Sequence, residues 1–196
     1  MTKPLRAVFL DRDGVLVEDE GPLCDPERIR VLQGVADGLK RLKEAGFLLV
    51  GVSNQTVVAR GLLDEAGVVA LQGQIEDQIE SLGGPRLDRF YFCPHHPEAT
   101  VDAYRQRCTC RKPSDGLLRR AQRDDAVDLA ASFLVGDRPS DVAAGASAGC
   151  QTVWVHTGRH SDAPIVSDLP VDAASADHEC AGLAEAVEWI LSGDAA

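Results

Sequence analysis

Five short apolar runs that alternate with segments of helical periodicity most constrain the fold of this 196-residue chain. The runs lie at 8–10, 47–52, 89–92, 132–135 and 152–155. Helical spacing appears over 35–45, 62–82, 114–123 and 142–148 and again near the C-terminus, around 183–191. Strands that are apolar almost throughout are typical of a parallel sheet buried on both faces. Because they alternate with helices, the sequence predicts a three-layer α/β fold.

The length and charge of the chain limit its organisation and its partners. A chain of 196 residues suits one hydrophobic core, so we expect a single domain over 1–196. The net charge of −11 opposes binding to nucleic acid, whose phosphate backbone is bound by Lys and Arg. We find no secretory segment and no apolar run of membrane-spanning length. We therefore expect a cytoplasmic protein, a monomer, with neither a nucleic-acid nor a membrane partner.

Polar side chains follow three of the apolar runs, at the points where strands are expected to end. They are Asp11 and Asp13 after the first run, Ser53 and Asn54 after the second, and Asp137 and Asp141 after the fourth. The carboxyl ends of parallel strands share one edge of a sheet, so these side chains can converge. Clustered carboxylates without histidine favour Mg²⁺ over Zn²⁺. Each pair alone also has a simpler interpretation, since Asp-x-Asp-Gly is a common turn and Asp137 and Asp141 can cap a helix.

The stretch from 93 to 110 has no helical or strand periodicity but is rich in soft metal ligands. These are Cys93, His95, His96, Cys108 and Cys110. Three thiols and one imidazole suit a tetrahedral Zn²⁺, and four protein ligands leave no open position for water. We therefore predict a structural zinc that pins this loop, with His95 favoured over His96 by the Cys-x-His spacing. The alternative is three reduced, buried cysteines without a metal.

Four motifs together resemble the haloacid dehalogenase-like (HAD) phosphatase superfamily over residues 8–141. They are Asp11-x-Asp13-Gly-Val-Leu, Ser53-Asn-Gln, Arg111-Lys112-Pro113 and Gly136-Asp137-x-x-x-Asp141, in that order. The resemblance implies a Rossmann-like HAD fold with a mainly parallel sheet and no large cap domain. It also implies that Asp11 attacks phosphorus to form an aspartyl phosphate. Asp13 would then protonate the leaving oxygen and later deprotonate the attacking water.

The same resemblance implies roles for further residues. The non-reacting phosphoryl oxygens would be held by Ser53, Asn54 and Lys112, although Lys112 could instead be an ordinary surface lysine. Magnesium would lie on Asp11, the Asp13 backbone carbonyl and Asp137, with Asp141 one layer further out. Arg111 would recognise the phosphate that is not cleaved. The residues expected to bind substrate are Asp19, Glu20, Gly21, Pro22, Asn54, Gln55, Thr56, Arg111 and Arg138.

Within the superfamily, residues 6–160 resemble the D-glycero-D-manno-heptose 1,7-bisphosphate 7-phosphatases. The resemblance rests on Ala59-Arg60-Gly61, Cys-Pro-His-His-Pro and the long spacer before Cys108. It implies a phosphatase with catalytic Mg²⁺ and structural Zn²⁺ that removes the C7 phosphate of a small phosphorylated sugar, in the supply of nucleotide-activated heptose for lipopolysaccharide. Two stretches, Thr56-Val57-Val58 and Glu20-Gly21-Pro22, depart from the family pattern and leave the exact sugar open.

Three other functions remain as alternatives. Histidinol-phosphate phosphatases are close relatives of the heptose enzymes, and they would act in histidine biosynthesis. A zinc-stabilised binding module without catalysis is a second alternative. A DNA 3′-phosphatase would share the four motifs, but the acidic balance of the chain and the absence of a basic stripe disfavour it.

Overall fold

One parallel sheet organises the molecule, of which the computed structural model describes residues 5–158 and 175–193. Its strands are β1 (Ala7–Leu10), β2 (Leu48–Asn54), β3 (Arg89–Cys93), β4 (Phe133–Gly136), β5 (Gln151–Val155) and β6 (His178–Cys180). The spatial order is β3-β2-β1-β4-β5-β6, and every pairing is parallel. The chain runs outward from β1 to β3 and then returns to β4 on the other side of β1. The direction of winding therefore switches between β1 and β4, the place where ligands bind in open α/β sheets.

Helices cover both faces of the sheet and confirm the three-layer prediction. They are α1 (Val35–Glu44), α2 (Thr56–Ala59), α3 (Glu65–Ser81), α4 (Gly116–Asp125), α5 (Pro139–Ala148) and α6 (Leu183–Gly193). Val8 and Leu10 of β1 belong to a core cluster with α1, α3 and α6. Ala7 and Phe9 belong to a second cluster with α4. Because neighbouring strand residues point to opposite faces, a strand buried on both faces has to be apolar at every position.

Several boundaries differ from the predictions made from the sequence. A sixth strand, β6, is present at the edge of the sheet, and its sequence His178-Glu179-Cys180 has no apolar run that would mark it. Helix α4 begins at Gly116, two residues after the first residue of its predicted span. Helix α5 begins at Pro139, three residues before the first residue of its predicted span. The sequence also predicts a polar loop over 157–175, of which residues 159–174 lie outside the described part of the chain.

The loops at the carboxyl edge of the sheet contain little regular structure. The segments 11–34 and 94–115 carry one short 3₁₀ helix each, at Pro26–Arg28 and Asp102–Tyr104. Within residues 5–158 and 175–193, no separate cap domain covers this edge. In the same ranges, no helix has both the length and the apolar character needed to cross a bilayer.

Candidate active site

A pocket with a cavity volume of about 150 Å³ lies where β1, β2 and β4 end. Twelve of the residues predicted for the site line it: Asp11, Asp13, Asp19, Gly21, Pro22, Ser53, Asn54, Gln55, Thr56, Arg111, Lys112 and Arg138. Glu20 is not among the lining residues, and its exposed carboxylate faces Arg28 at 3.6 Å. The strand-end residues of distant segments therefore meet at one place, as their positions after the strands predicted.

Lys112 forms the centre of the pocket floor and is only 1 % exposed, so its interpretation as a surface lysine is wrong. Its Nζ donates to the Val52 carbonyl at 2.8 Å and lies 3.0 Å from Asp11 Oδ2 and 2.5 Å from Asp141 Oδ1. Burial works to lower the pKa of Lys112, but the two carboxylates outweigh it, and the net pKa is raised. Lys112 is therefore a charged ammonium that is fixed by the Val52 carbonyl and paired with the carboxylates of Asp11 and Asp141.

Asp11, Asp137 and Asp141 bring one carboxylate oxygen each into a group whose members all lie within 4.8 Å of one another. All three residues are buried. Burial raises the pKa of Asp141 to about 6, against the opposing effect of Lys112. A Cβ added to Gly14, whose φ is +85°, would lie 2.6 Å from the Asp137 carboxyl group. The turn after β1 therefore packs directly on this cluster, whose donors are all oxygen and suit a hard cation.

The carboxylate of Asp13 lies apart from that cluster. The guanidinium of Arg12 donates hydrogen bonds to both of its oxygens, from Nε to Oδ1 at 3.1 Å and from Nη2 to Oδ2 at 2.8 Å. Gln55 Nε2 donates to Asp13 Oδ2 at 3.0 Å and also to Ser53 Oγ at 2.8 Å. Sequence reasoning gave Arg12 no role. The only indication in the sequence was that Arg12 lies between two acidic residues at the end of a buried strand. The alternation of side chains in a strand argues against a contact, because it points Arg12 away from both neighbours.

Two loops are fixed to the pocket by polar contacts. Asn54 and the backbone of Lys112 exchange a reciprocal pair of hydrogen bonds, each 3.0 Å long. Asp19, in the loop after β1, accepts from Arg138 Nη2 at 2.9 Å and from the Gly21 backbone at 3.0 Å. Burial acts to lower the pKa of Arg138, but the hydrogen bond to Asp19 and the nearby carboxylates of Asp137 and Asp11 together outweigh it, so the pKa is raised. Asn54 thus holds Lys112 in place, and Asp19 and Arg138 tie the β1 loop to the start of α5.

Cys93, His95, Cys108 and Cys110 converge beside the pocket as a compact tetrad. The three sulfur pairs are 3.2–3.5 Å apart, and His95 Nδ1 lies 3.4 Å from the Cys110 sulfur and 3.8 Å from the Cys93 sulfur. The contact between Cys110 and Cys93, followed by those with Cys108 and His95, lowers the pKa of Cys110 to about 5 against the opposing effect of burial. Ligands 2.3 Å from a tetrahedral Zn²⁺ would be about 3.8 Å apart, so the tetrad is compatible with zinc.

His96 does not join the tetrad. Its Nδ1 accepts the Glu98 backbone N–H at 3.1 Å. The structure therefore brings His95, the histidine favoured by the Cys-x-His spacing, to the three sulfurs. Arg111 and Lys112 follow Cys110 directly in the chain, so the tetrad anchors the segment that enters the pocket.

Comparisons with known proteins identify the class to which this fold and site belong. A family model described as HAD-hydrolase-like matches residues 109–186. The chain is 37 % identical over 191 residues to the D-glycero-beta-D-manno-heptose-1,7-bisphosphate 7-phosphatase of Photorhabdus laumondii, which covers 97 % of this chain and 99 % of that protein. It is 40 % identical over 160 residues to the enzyme of the same name from Yersinia pestis, covering 81 % of this chain and 85 % of the relative.

A solved structure extends the similarity to three dimensions. The D,D-heptose 1,7-bisphosphate phosphatase from B. bronchiseptica, complexed with magnesium and phosphate, matches with a TM-score of 0.77 and 30 % identity, over 96 % of this chain and 99 % of that one. The fold is that of a HAD phosphatase. The chain belongs to the family of D-glycero-β-D-manno-heptose-1,7-bisphosphate 7-phosphatases.

Proposed function

We propose that this protein is a Mg²⁺-dependent phosphatase that removes the C7 phosphate of D-glycero-D-manno-heptose 1,7-bisphosphate through an aspartyl phosphate. One observation carries the proposal most directly. Asp11 lies at the floor of a pocket against the buried ammonium of Lys112, and four arginines line the same pocket: Arg12, which is paired with Asp13, and Arg60, Arg111 and Arg138. A carboxylate nucleophile, a fixed cation beside it and cationic groups above it are what phosphoryl transfer requires.

Asp11 is held as an oriented nucleophile. Its Oδ1 accepts the Arg12 backbone N–H at 2.7 Å, and its Oδ2 faces Lys112 at 3.0 Å. In the first step, an Asp11 oxygen forms a bond to phosphorus while the bond from phosphorus to the C7 oxygen breaks. The C7 oxygen leaves as a sugar alcohol with a proton from Asp13, because an alkoxide is a poor leaving group. In the second step, Asp13 takes a proton from the water that hydrolyses the aspartyl phosphate.

The phosphoryl group would be held by Lys112 and Ser53. Since Ser53 Oγ accepts from Gln55 at 2.8 Å, the Ser53 hydroxyl proton remains available for a phosphoryl oxygen. Gln55 is 2 % exposed, and its amide Nε2 donates to both Asp13 and Ser53. It therefore supports these two side chains from beneath the pocket.

The oxygen donors of Asp11 and Asp137, together with the Asp13 backbone carbonyl, would hold Mg²⁺. Asp141 would stay paired with Lys112 behind them. Asp11 and Asp137 are both buried and bring carboxylate oxygens within 4.8 Å of each other, which supports this assignment. When bound, Mg²⁺ neutralises charge that develops on the transferring phosphoryl group. For the second metal, the Cys93, His95, Cys108 and Cys110 tetrad would hold a structural Zn²⁺ that fixes Arg111 and Lys112.

Recognition of the phosphate that stays on the sugar would fall to the arginines at the pocket mouth. Arg111 is the residue proposed for this phosphate, and Arg60, to which sequence reasoning gave no role, lines the same pocket. Histidinol phosphate carries an ammonium group and has no second phosphate. An arginine-lined pocket therefore favours the bisphosphate by charge.

The proposed reaction can be tested by following both phosphates of heptose 1,7-bisphosphate with ³¹P NMR. In the presence of Mg²⁺ we expect the C7 signal to be replaced by inorganic phosphate while the C1 signal persists. Asp11→Asn should abolish the conversion. Asp64→Asn is the matched control, because Asp64 caps α3 outside the pocket and asparagine caps a helix equally well. Loss of the C1 phosphate, or turnover by Asp11→Asn, would overturn the proposal.

A further inference from the structure

Arg12 is a deeply buried arginine with no part in the steps described above. It is 1 % exposed, yet it lines the pocket from beneath. A buried guanidinium is costly unless its charge is paired, and Arg12 is paired with the 23 % exposed carboxylate of Asp13. The Arg12 side chain therefore presents Asp13 to the pocket.

The turn after β1 makes this contact between sequence neighbours possible. The carbonyl of Arg12 accepts backbone N–H groups from three residues, at 3.4 Å from Val15, 2.9 Å from Leu16 and 3.1 Å from Val17. Gly14 takes a φ of +85° within the same turn. In an extended strand, Arg12 and Asp13 would point to opposite faces. The turn instead folds both side chains to one side, where the fork of the guanidinium meets both carboxylate oxygens.

We propose that Arg12, assisted by Gln55, is a positioning residue that holds the Asp13 carboxyl group where it transfers its proton to the leaving oxygen. The inference rests on the proposed function. A fork from Nε to Oδ1 and from Nη2 to Oδ2 fixes both the direction and the plane of a carboxyl group. Arg12 Nη2 also lies 2.9 Å from Oδ1, and Gln55 Nε2 is a second donor to Oδ2, so these two side chains hold both oxygens of the Asp13 carboxyl group.

The step at stake is cleavage of the bond between phosphorus and the leaving oxygen. As Asp11 bonds to phosphorus, the electron pair of the breaking bond goes to the leaving oxygen, and the proton of Asp13 goes to the same oxygen. This proton matters for a sugar alkoxide but little for 4-nitrophenolate, which leaves as a stable anion. If Asp13 is badly positioned, kcat/KM should therefore fall for the sugar phosphate much more than for 4-nitrophenyl phosphate.

The experiment compares kcat/KM for heptose 1,7-bisphosphate with kcat/KM for 4-nitrophenyl phosphate. For each substrate, kcat/KM reports only the steps up to formation of the aspartyl phosphate, so the rate of hydrolysis of that intermediate does not affect it. Arg12→Lys keeps the charge but loses the fork. We expect it to lower kcat/KM about 10- to 100-fold on the sugar and less than about 3-fold on the aryl ester. Asp13→Asn should show the same pattern with a larger loss on the sugar.

Two further variants keep the test decisive. Gln55→Met removes the other contact to Asp13 and also the contact to Ser53, so it should lower kcat/KM for both substrates with the larger loss on the sugar, even if Arg12→Lys folds poorly in thermal unfolding. Arg119→Lys breaks an arginine pair with Asp115 outside the pocket and should change neither substrate. Equal losses on both substrates, or no loss on the sugar in Arg12→Lys and Gln55→Met, would overturn the positioning role.

Failure of the proposed function would look different. In that case the wild-type protein would not turn over heptose 1,7-bisphosphate at all. The role of Arg12 would then be measured on aryl phosphates from 4-nitrophenyl to phenyl phosphate. A steeper fall of kcat/KM with leaving-group basicity in Arg12→Lys than in the wild type supports the inference, and parallel slopes contradict it.

Discussion

At the scale of single residues, the buried ammonium of Lys112 is the most consequential contact in the pocket. Removing one member of a buried ion pair leaves an uncompensated charge and costs about 3–5 kcal/mol. We expect Lys112→Met to lower the free energy of unfolding by about this amount at pH 7 without Mg²⁺, because Asp11 and Asp141 then face each other. Added Mg²⁺ should restore part of the loss. Urea unfolding with and without Mg²⁺ measures both effects, and wild-type stability without Mg²⁺ would contradict the account.

Asp141 gives a second prediction, on pH dependence. Burial raises its pKa from 3.8 to about 6 in the folded protein. Between about pH 4 and 6 the folded state therefore binds a proton that the unfolded state has lost, so this residue's contribution to stability falls as pH rises. In Mg²⁺-free buffer, the unfolding free energy of the wild type relative to Asp141→Asn should decrease across this window. An increase with pH in denaturant titrations would contradict the assigned pKa direction.

The residues of the pocket could be predicted from the sequence where a motif marks a strand end, and not where the contact depends on a turn. Asp11, Ser53 and Lys112 meet because parallel strands end at one edge of the sheet. The contact between Arg12 and Asp13 arises from a tight turn that the alternation of a strand does not foresee. Glu20 was expected in the pocket from the family resemblance, but its side chain is exposed and faces Arg28.

At the scale of elements, apolar runs and helical repeats identified the buried strands and the long helices. They failed where burial is partial. Edge strand β6 has an exposed glutamate at its centre and a half-exposed histidine, so no run of apolar residues distinguishes it from a loop. Helix α2 spans four residues, which is too few for a helical repeat to be visible. Both elements depend on tertiary packing rather than on local pattern.

The cysteine loop between β3 and α4 carries the third prediction. Its four candidate ligands come from both ends of a segment with almost no regular structure, so a bound metal replaces the packing that the segment lacks. We expect about one equivalent of zinc in the protein. Cys108→Ser should lower the zinc content and the midpoint of thermal unfolding, with a smaller effect on kcat/KM.

Cys24→Ser is the matched control for the zinc loop, since Cys24 lies outside the tetrad. It should retain the metal and the thermal midpoint. Elemental analysis and thermal unfolding of the two variants decide the outcome. Loss of activity in Cys108→Ser at full stability would contradict a structural role for this metal.

At the scale of the whole molecule, the charge distribution explains how an acidic protein can select a doubly phosphorylated substrate. The chain carries a net charge of −11, so its surface repels polyanions in general. The pocket nevertheless gathers Arg60, Arg111, Arg138 and the ammonium of Lys112. The attraction for phosphate is thus confined to the pocket. A substrate with two phosphate groups can interact with these cationic side chains through both of them.

The measurement that tests this account most directly is a side-by-side determination of kcat/KM for heptose 1,7-bisphosphate and histidinol phosphate with saturating Mg²⁺. The arginine-lined mouth should favour the bisphosphate by about 100-fold or more, which corresponds to roughly 2.7 kcal/mol of differential transition-state stabilisation. Arg111→Met should remove most of this preference by lowering the value for the bisphosphate alone. A clear preference of the wild-type protein for histidinol phosphate would contradict the account.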